Sequence, residues 1–524
     1  MAGRKRTAVV VAVSAVAGLA AFLLTRASLT DDAYITLTYA RNLAEYGQWG
    51  LIPDVTSNSA TSPLNVLLLA LGIVITGLFG DPQPIVALGF VTVGATAALG
   101  WAWARMSARL RFPTSVALLG VAVVVVNPFV LSAIGLEVLL VPAALAGFAA
   151  ATVERRPVWF GVLAGLTVLV RLDLVVFVVV VFVVATARAV GRRWWQAPVA
   201  MVVVALPWYV FSWVVFGSAV PDTLVIKQSQ DGLFDPWTYA SGIGMYLDGA
   251  TVAVLLAVVP AGMGVIASLA AVAARIAVPE PPALGAAAAL GAGGMAYYLA
   301  YVLLGVGPYH WYYVPPLTAL AMCAVLALGA WWGQRRGASA DGEHGRDRES
   351  GPDGTRSGAR HVGRRANPVV AIGLLGVIAA VVATTAVVQA QRGVPWRSPT
   401  IFGNWASAED YARVGTELGR RVGDAPVRSP GEIGTLAYFC ECRIVDVFSD
   451  RGRIPGLLEE RLSESGTIGS ALLEANYLWF DRDREPLAPE YRLLYSSGPG
   501  RGPDTWTVHS DARGVGHFTL VRIR

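Results

Sequence analysis

The sequence predicts a polytopic α-helical membrane protein of about eleven transmembrane helices with a soluble C-terminal domain of α/β or α+β type. Three observations lead there. Of 524 residues, 55% are hydrophobic and 15% charged, and mean hydropathy is +0.55, more apolar surface than a water-soluble globule can cover with polar groups. The apolar residues fall into blocks of roughly 18 to 25, the length at which a helix rising 1.5 Å per residue crosses about 30 Å of hydrocarbon. From residue 392 onward the pattern changes to mixed charge with short alternating apolar runs.

Taken in order, spans are expected near 7–25, 85–104, 114–131, 137–153, 157–170 and 172–188. Others follow near 195–216, 248–274, 283–305, 311–333 and 368–390. The basic start, Met1 to Arg6, reads as the flank of a retained anchor, because no clear small-x-small cleavage site precedes the polar loop. Leu64 to Phe79 is apolar but short, with Pro63 before it and Gly80, Pro82 and Pro84 behind it. Charge decides its status. Cytoplasmic loops collect Lys and Arg, and if this block stays in the interface, 20 of the 24 Lys and Arg residues before 367 fall inside, leaving Arg26, Arg41, Arg171 and Lys227 outside. A full crossing would invert every later loop, so none is expected.

The division that follows is a membrane module over 1–333, a disordered cytoplasmic loop over 334–366, a last span over 367–391 and an exterior domain over 392–524. The loop is rich in Gly, Arg, Asp and Ser with almost nothing apolar to bury. The last segment is long enough for its own core, with strands expected around Arg443–Phe448 and His517–Ile523. Cys440 and Cys442 flank Glu441 and are read as free or mutually bridged; two sulfurs alone make a poor metal site.

The chemistry lies in what this topology gathers on one side. Asp31 and Asp32 open the first exterior loop, and they also suit the first turn of a helix, where carboxylates complement the dipole. Glu137, Arg171, Asp173, Lys227 and His310 stand near span ends on the same face. A charge at hydrocarbon depth costs at least about 2.5 to 3.5 kcal/mol, so such residues pair, line a wet cavity or act on a substrate. Arg171 and Asp173 can pair across their turn, and Lys227 can snorkel. Acid, base and cation on one face point to a reaction centre.

Several stretches carry a family resemblance. Thr30-Asp31-Asp32-Ala33-Tyr34-Ile35, Tyr39-Ala40-Arg41-Asn42-Leu43 and Thr61-Ser62-Pro63-Leu64 resemble the first exterior loop of GT-C membrane glycosyltransferases. Gly135-Leu136-Glu137, Pro207-Trp208-Tyr209, Phe216-Gly217-Ser218, Pro221-Asp222-Thr223 through Lys227, and Pro308-Tyr309-His310-Trp311-Tyr312-Tyr313 with Pro315 are similar to later elements in the same order. Gly431-Glu432-Ile433-Gly434 and Ile444-Val445-Asp446 continue the likeness into the exterior domain. Among these enzymes the chain most resembles the terminal arabinofuranosyltransferases of actinobacterial cell-wall arabinan, which use decaprenyl-phosphoryl arabinose. It departs from them at Val138 and at Arg171-Leu172-Asp173.

The resemblance implies a GT-C-like transfer of a sugar from a polyprenyl phosphate to a cell-wall glycan, arabinogalactan or lipoarabinomannan, at the outer face of the plasma membrane. Asp31 is the expected base, with Asp32 or Glu137 orienting sugar or acceptor. Lys227, His310, Arg171 and Arg41 would hold the departing phosphate, and Trp311 and Tyr312 would line the donor site. The exterior domain would bind the acceptor, with Trp396, Trp405, Tyr438, Trp479 and Trp506 as stacking surfaces. No cofactor is required, although a divalent ion bridging carboxylate and phosphate fits the chemistry. Bilayer, lipid-linked donor and glycan acceptor are the expected partners, and nucleic acid is not. A transporter or flippase of a lipid-linked sugar, and the same fold with a mannosyl or other donor, are the alternatives; against transport, no internal repeat is visible and the charges cluster at one interface.

Overall fold

The structure, a computed structural model, describes residues 2–186, 193–228, 237–277, 282–346 and 398–523, apart from 402 and 501, and a few positions between 376 and 387. The expected last span and most of the expected cytoplasmic loop therefore lie outside the described residues, as does Trp396.

The chain is a multi-pass membrane protein with an extramembrane C-terminal domain that contains a β-sheet. Its helices are α1 (Ala2–Thr25), α2 (Asp31–Tyr46), α3 (Pro63–Gly77), α4 (Pro84–Leu110), α5 (Thr114–Val125), α6 (Pro128–Leu131), α7 (Leu140–Glu154), α8 (Pro157–Val170) and α9 (Val175–Val181). They continue with α10 (Gln196–Phe216), α11 (Thr223–Gln228), α12 (Tyr239–Ala277), α13 (Pro282–Leu304) and α14 (Val314–Arg346). Among the described residues six helices are long and apolar enough to cross a membrane, and five apolar helices of 10–17 residues accompany them. Of the eleven expected spans, six coincide with the long helices and four, near 114–131, 137–153, 157–170 and 172–188, with the shorter apolar ones; the eleventh, 368–390, falls mostly on residues outside those described. The helix expected over 248–274 begins earlier, at Tyr239, and is broken at Ala250 by non-helical backbone. α14 continues into the segment read as a loop, as far as Arg346.

Proline at the first helical position starts α3, α4 and α8, where the missing N–H would have had no partner. α1 lies along α4 with Phe22 against Gly89 and Ser14 against Gly100, small residues letting the two backbones approach. α3 has both ends at the domain-facing end of the bundle: Asn65 donates to the Gly135 carbonyl at 3.4 Å, and Gly72 packs on Ala87 in the first turn of α4.

The domain adds α15 (Ala408–Val422), α16 (Gly434–Cys440), α17 (Ile454–Glu464) and α18 (Thr467–Asn476) to strands β1 (Val427–Arg428), β2 (Ile444–Val445), β3 (Tyr491–Ser496), β4 (Thr505–Ser510) and β5 (Gly514–Arg522). The sheet order is β2-β1-β3-β5-β4, parallel across β2, β1 and β3 and antiparallel beyond. β3 and β5 run as a ladder from Tyr491↔Arg522 to Ser496↔His517, and Leu493, Phe518 and Leu520 turn inward between exposed neighbours. Ser407 caps α15, with Glu409 and Asp410 in its first turn and Arg420 and Arg421 in its last. Cys440 and Cys442 form a disulfide. The domain docks mainly through α16 on α2, which brings the first polar loop of the membrane module against the sheet-bearing domain.

Candidate active site

A cavity of about 1060 Å³ lies between the domain-facing end of the bundle and the domain, and Asp31, Asp32, Glu137, Lys227, His310 and Trp311 all line it, with Trp405 and Glu432 on the domain side. The two adjacent aspartates are used differently. Asp31 is buried, and its carboxylate accepts three backbone N–H groups where α16 begins, from Ile433 at 3.0 Å, Gly434 at 2.9 Å and Thr435 at 2.7 Å. The first N–H groups of a helix have no intrahelical partner, so Asp31 caps a helix of the other domain. Only glycine fits at 434, because a Cβ there would stand 1.9 Å from the Asp31 carbonyl oxygen. Burial raises the Asp31 carboxyl and these bonds oppose the rise.

Asp32, one residue on, points elsewhere and is half-buried. No hydrogen bond joins its carboxylate to another described side chain, and burial followed by the charge of Asp31 pushes it up to about 7, against the pull of Lys227. It is a carboxylate held near its titration midpoint beside a cavity, the condition a general base at neutral pH requires.

Lys227 ends the short α11. Its ammonium donates to the Tyr312 hydroxyl and lies over the rings of Tyr309 at 4.7 Å, Tyr312 at 4.9 Å and Trp311 at 5.9 Å. Ring faces attract a cation without neutralising it. Among the described residues no carboxylate is ion-paired with Lys227. His310 is buried, with Nε2 3.3 Å from the Ser132 carbonyl. The aromatic motif thus forms one wall: Trp311 and His310 on the cavity, Tyr312 behind them as the partner of Lys227.

Two expected phosphate ligands stand apart. Arg171 does not line the cavity. Its guanidinium is shared between Glu137 at 2.7 Å and Asp173 at 2.6 Å, with Tyr301 bonded to both Arg171 and Asp173 and Tyr297 to Asp173 at 2.7 Å. A fork whose donors are spent on two buried carboxylates has little left for a ligand. Arg41 also lies off the cavity, paired with Glu441 at 2.8 Å and donating to the Tyr438 carbonyl at 3.1 Å, so it fastens α2 to α16. The pairing of Arg171 with Asp173 was readable from their turn, but the role of Arg41 was not, because its partners Glu441 and Tyr438 are some 400 positions away.

Sequence reasoning quoted Glu432 only within Gly431-Glu432-Ile433-Gly434, without a role, and did not name Arg451. Glu432 accepts the Trp405 backbone N–H and the Tyr411 hydroxyl, and burial followed by the charge of Asp31 pushes it up to about 8. Arg451 is buried against Asp222 at 2.7 Å and also reaches the Phe216 carbonyl and Ser218, which locks the loop before α11 onto the domain. The only signal for that pair was the acidic residue in Pro221-Asp222-Thr223. Among the described residues no group of three or more His, Cys, Asp or Glu is arranged to hold a metal ion.

No protein family profile matches the chain, and no curated protein matches it in sequence. Its fold is similar to that of ArnT from Cupriavidus metallidurans. The apo crystal structure aligns over 99% of this chain and 98% of that one with a TM-score of 0.55 at 14% identity. The structure of ArnT bound to undecaprenyl phosphate aligns over 98% and 97% with a TM-score of 0.51, again at 14%. The arabinofuranosyltransferase AftD from Mycobacteria aligns over 98% of this chain and 40% of its own length, with a TM-score of 0.50 at 13%. The likeness establishes the fold. At these identities the chemistry has to be argued from the cavity itself.

Proposed function

We propose that the chain is a GT-C glycosyltransferase that moves a sugar from a polyprenyl phosphate to a glycan acceptor at the outer face of the membrane, and that the sugar is arabinofuranose. The observation that carries the reading is the cavity that holds the half-buried Asp32, bonded to no other described side chain, together with the ammonium of Lys227, which among the described residues has no carboxylate ion-paired with it. One is a proton acceptor and the other a site for a phosphate, and both stand where bundle and domain meet. Likeness to a fold solved with undecaprenyl phosphate supports a polyprenyl donor, and likeness to an arabinofuranosyltransferase supports the choice of sugar.

In this mechanism the acceptor hydroxyl gives its proton to Asp32 as its oxygen bonds to the anomeric carbon. The bond from that carbon to the phosphate oxygen breaks, and the electron pair leaves with the phosphate. Lys227 stabilises the developing charge as a point charge, and His310 stands on the same wall. A phosphate needs less help to leave than an alkoxide, so a metal ion is optional in this mechanism. Base duty passes from Asp31, the residue the sequence put forward, to its neighbour: Asp31 spends its oxygens on three backbone donors of the other domain, whereas Asp32 is bonded to no other described side chain and lies on the cavity. Glu137, fixed by Arg171, orients the donor sugar. The domain lies on the extracytoplasmic side and supplies the acceptor.

The test is transfer from radiolabelled decaprenyl-phosphoryl arabinose to a synthetic arabinan by the purified chain, with mannosyl and glucosyl donors alongside. Transfer from the arabinosyl donor that Asp32→Asn abolishes supports both reaction and base. Absence of transfer from every donor, with labelled lipid still bound, would sink the enzyme reading.

A further inference from the structure

The two ends of the cavity are built from different chemistry. The wall formed by the bundle carries Lys227 and a band of aromatic rings, Tyr309, Trp311 and Trp237. The wall formed by the domain carries Glu432 and Asp511 with Arg513, and Asp31, Asp32 and Glu137 of the bundle line the same cavity. Carboxylates therefore outnumber cations on the domain side, and the charges of Asp31 and Asp32 both act on Glu432.

In the middle of that acidic wall stands an indole. Trp405 is half-buried, and its ring lies nearly parallel on Tyr495, with centroids 4.7 Å apart and 20° between planes. Its backbone N–H is held by both oxygens of Glu432, at 3.0 and 3.2 Å. Gly431, at φ +139°, brings the loop against the ring edge so closely that a Cβ would stand 2.9 Å away. The preceding residue, Asn404, is bonded to Thr30 at 3.3 Å, the residue just before the two aspartates. The ring is thus backed by one aromatic and tied through its neighbours to Glu432 and Thr30, and Trp405 lines the cavity.

We propose that Trp405 is the floor of an acceptor subsite for the terminal sugar of an uncharged glycan, which stacks on the indole while Glu432 and Asp511 hydrogen-bond its hydroxyls. This rests on the glycosyltransferase reading for its place in the reaction, but the binding claim stands on the wall itself. An aromatic face beside carboxyl groups suits a ring with C–H on one face and hydroxyls at its edge. An anionic acceptor, such as a phosphorylated glycan or lipid, would bring its charge against Asp511 and the nearby Asp31 and Asp32, and against Glu432 as well once that raised carboxyl ionises, and like charges at close range are costly. The anionic partner of the site is then the donor phosphate at Lys227, and the neutral partner enters from the domain.

The experiment uses the full chain in detergent and saturation-transfer NMR with three probes: neutral arabinofuranosyl and mannopyranosyl tetrasaccharides, and the arabinofuranosyl one bearing a terminal phosphate. At least one neutral probe should bind wild type, bind Trp405→Ala about tenfold more weakly, and recover with Trp405→Phe, which keeps a ring face. Decaprenyl phosphate binding by Trp405→Ala confirms that the variant is folded. In transfer assays the same variant should raise the acceptor KM with little change in the donor KM. Binding of neutral probes that is unaffected by Trp405→Ala, no binding by wild type, or tighter binding of the phosphorylated probe overturns the proposal. Wild type that binds a neutral probe at Trp405 yet transfers no sugar keeps the subsite and sinks the transferase reading instead.

Discussion

Two cations flank the ring of Tyr312, and the chain treats them in opposite ways. Arg171 lies 4.9 Å over one part of it and belongs to a closed network of Glu137, Asp173, Tyr297 and Tyr301 within the helix bundle. Lys227 binds its hydroxyl and lies among ring faces at the cavity. By position near a span end the two looked equivalent. The difference is whether the charge is already balanced inside the protein. A cation with two carboxylate partners holds helices together, and one surrounded by rings keeps its charge for something that arrives. Asp31 and Asp32 repeat the contrast one residue apart.

The sharpest way to break that comparison is the aspartate pair. Asp32→Asn should lower kcat for transfer by roughly 10²- to 10⁴-fold, the usual contribution of a general base, while leaving the melting temperature near wild type. Asp31→Asn places an amide N–H against the N–H groups of 433 to 435, so it should loosen the docking of α16, seen as faster proteolysis or hydrogen exchange at α16. Equal loss of rate with unchanged docking in both variants would show the division of labour to be wrong.

The cations give the next largest effect. Lys227→Met should cost about 10²- to 10³-fold in rate, as removal of a group that stabilises developing charge commonly does, and should weaken binding of decaprenyl phosphate. Arg171→Met should act on stability first, by about 3 to 5 kcal/mol, since it leaves the buried Glu137 and the half-buried Asp173 without their counter-charge. Detergent-solubilised melting and lipid binding, measured on both variants, separate the two roles. A stable Arg171→Met protein that has lost lipid binding would return Arg171 to the site.

A smaller effect sharpens the account of Asp32. A base must be deprotonated to work, so its raised carboxyl makes transfer fall about tenfold per pH unit below a limb near 7 and level off above it. Burial is the main cause of the rise and the Asp31 charge the second, so Asp31→Asn should move the limb to lower pH in whatever fraction stays folded. A limb at the ordinary carboxylate value in wild type would mean that Asp32 is not the base.

How far the sequence reaches can be seen in the same residues. The apolar blocks made the helices legible, because hydrophobic runs are local features of the chain. The joint setting of Asp31, Asp32, Glu137, Lys227 and His310 on one cavity was also foreseeable, since one face of a membrane gathers whatever the loops present. What each residue does there was not. Asp31 is decided by the N–H groups of Ile433, Gly434 and Thr435, Arg41 by Glu441, and Asp222 by Arg451, partners between about 230 and 400 positions away. A periodicity or a charge count has no term for such contacts. The break at Ala250 was hidden for the opposite reason, because its neighbours read as uninterrupted helix.

The smallest expected effect concerns Arg41, which the resemblance offered as a phosphate ligand. Its pair with Glu441 is solvent-exposed on the carboxylate side, with 71% of that side chain accessible, and exposed pairs contribute at most about 1 kcal/mol. Packing of the guanidinium on Tyr438, 4.8 Å from the ring centre, adds a contact that lysine cannot reproduce as a planar stack. Arg41→Lys should therefore leave the donor KM unchanged and lower the stability of the docked domain by no more than about 1 kcal/mol, with added salt narrowing the gap to wild type. A raised donor KM in this variant would put Arg41 in contact with the phosphate, and the docking surface between α2 and α16 would then have to open during the reaction.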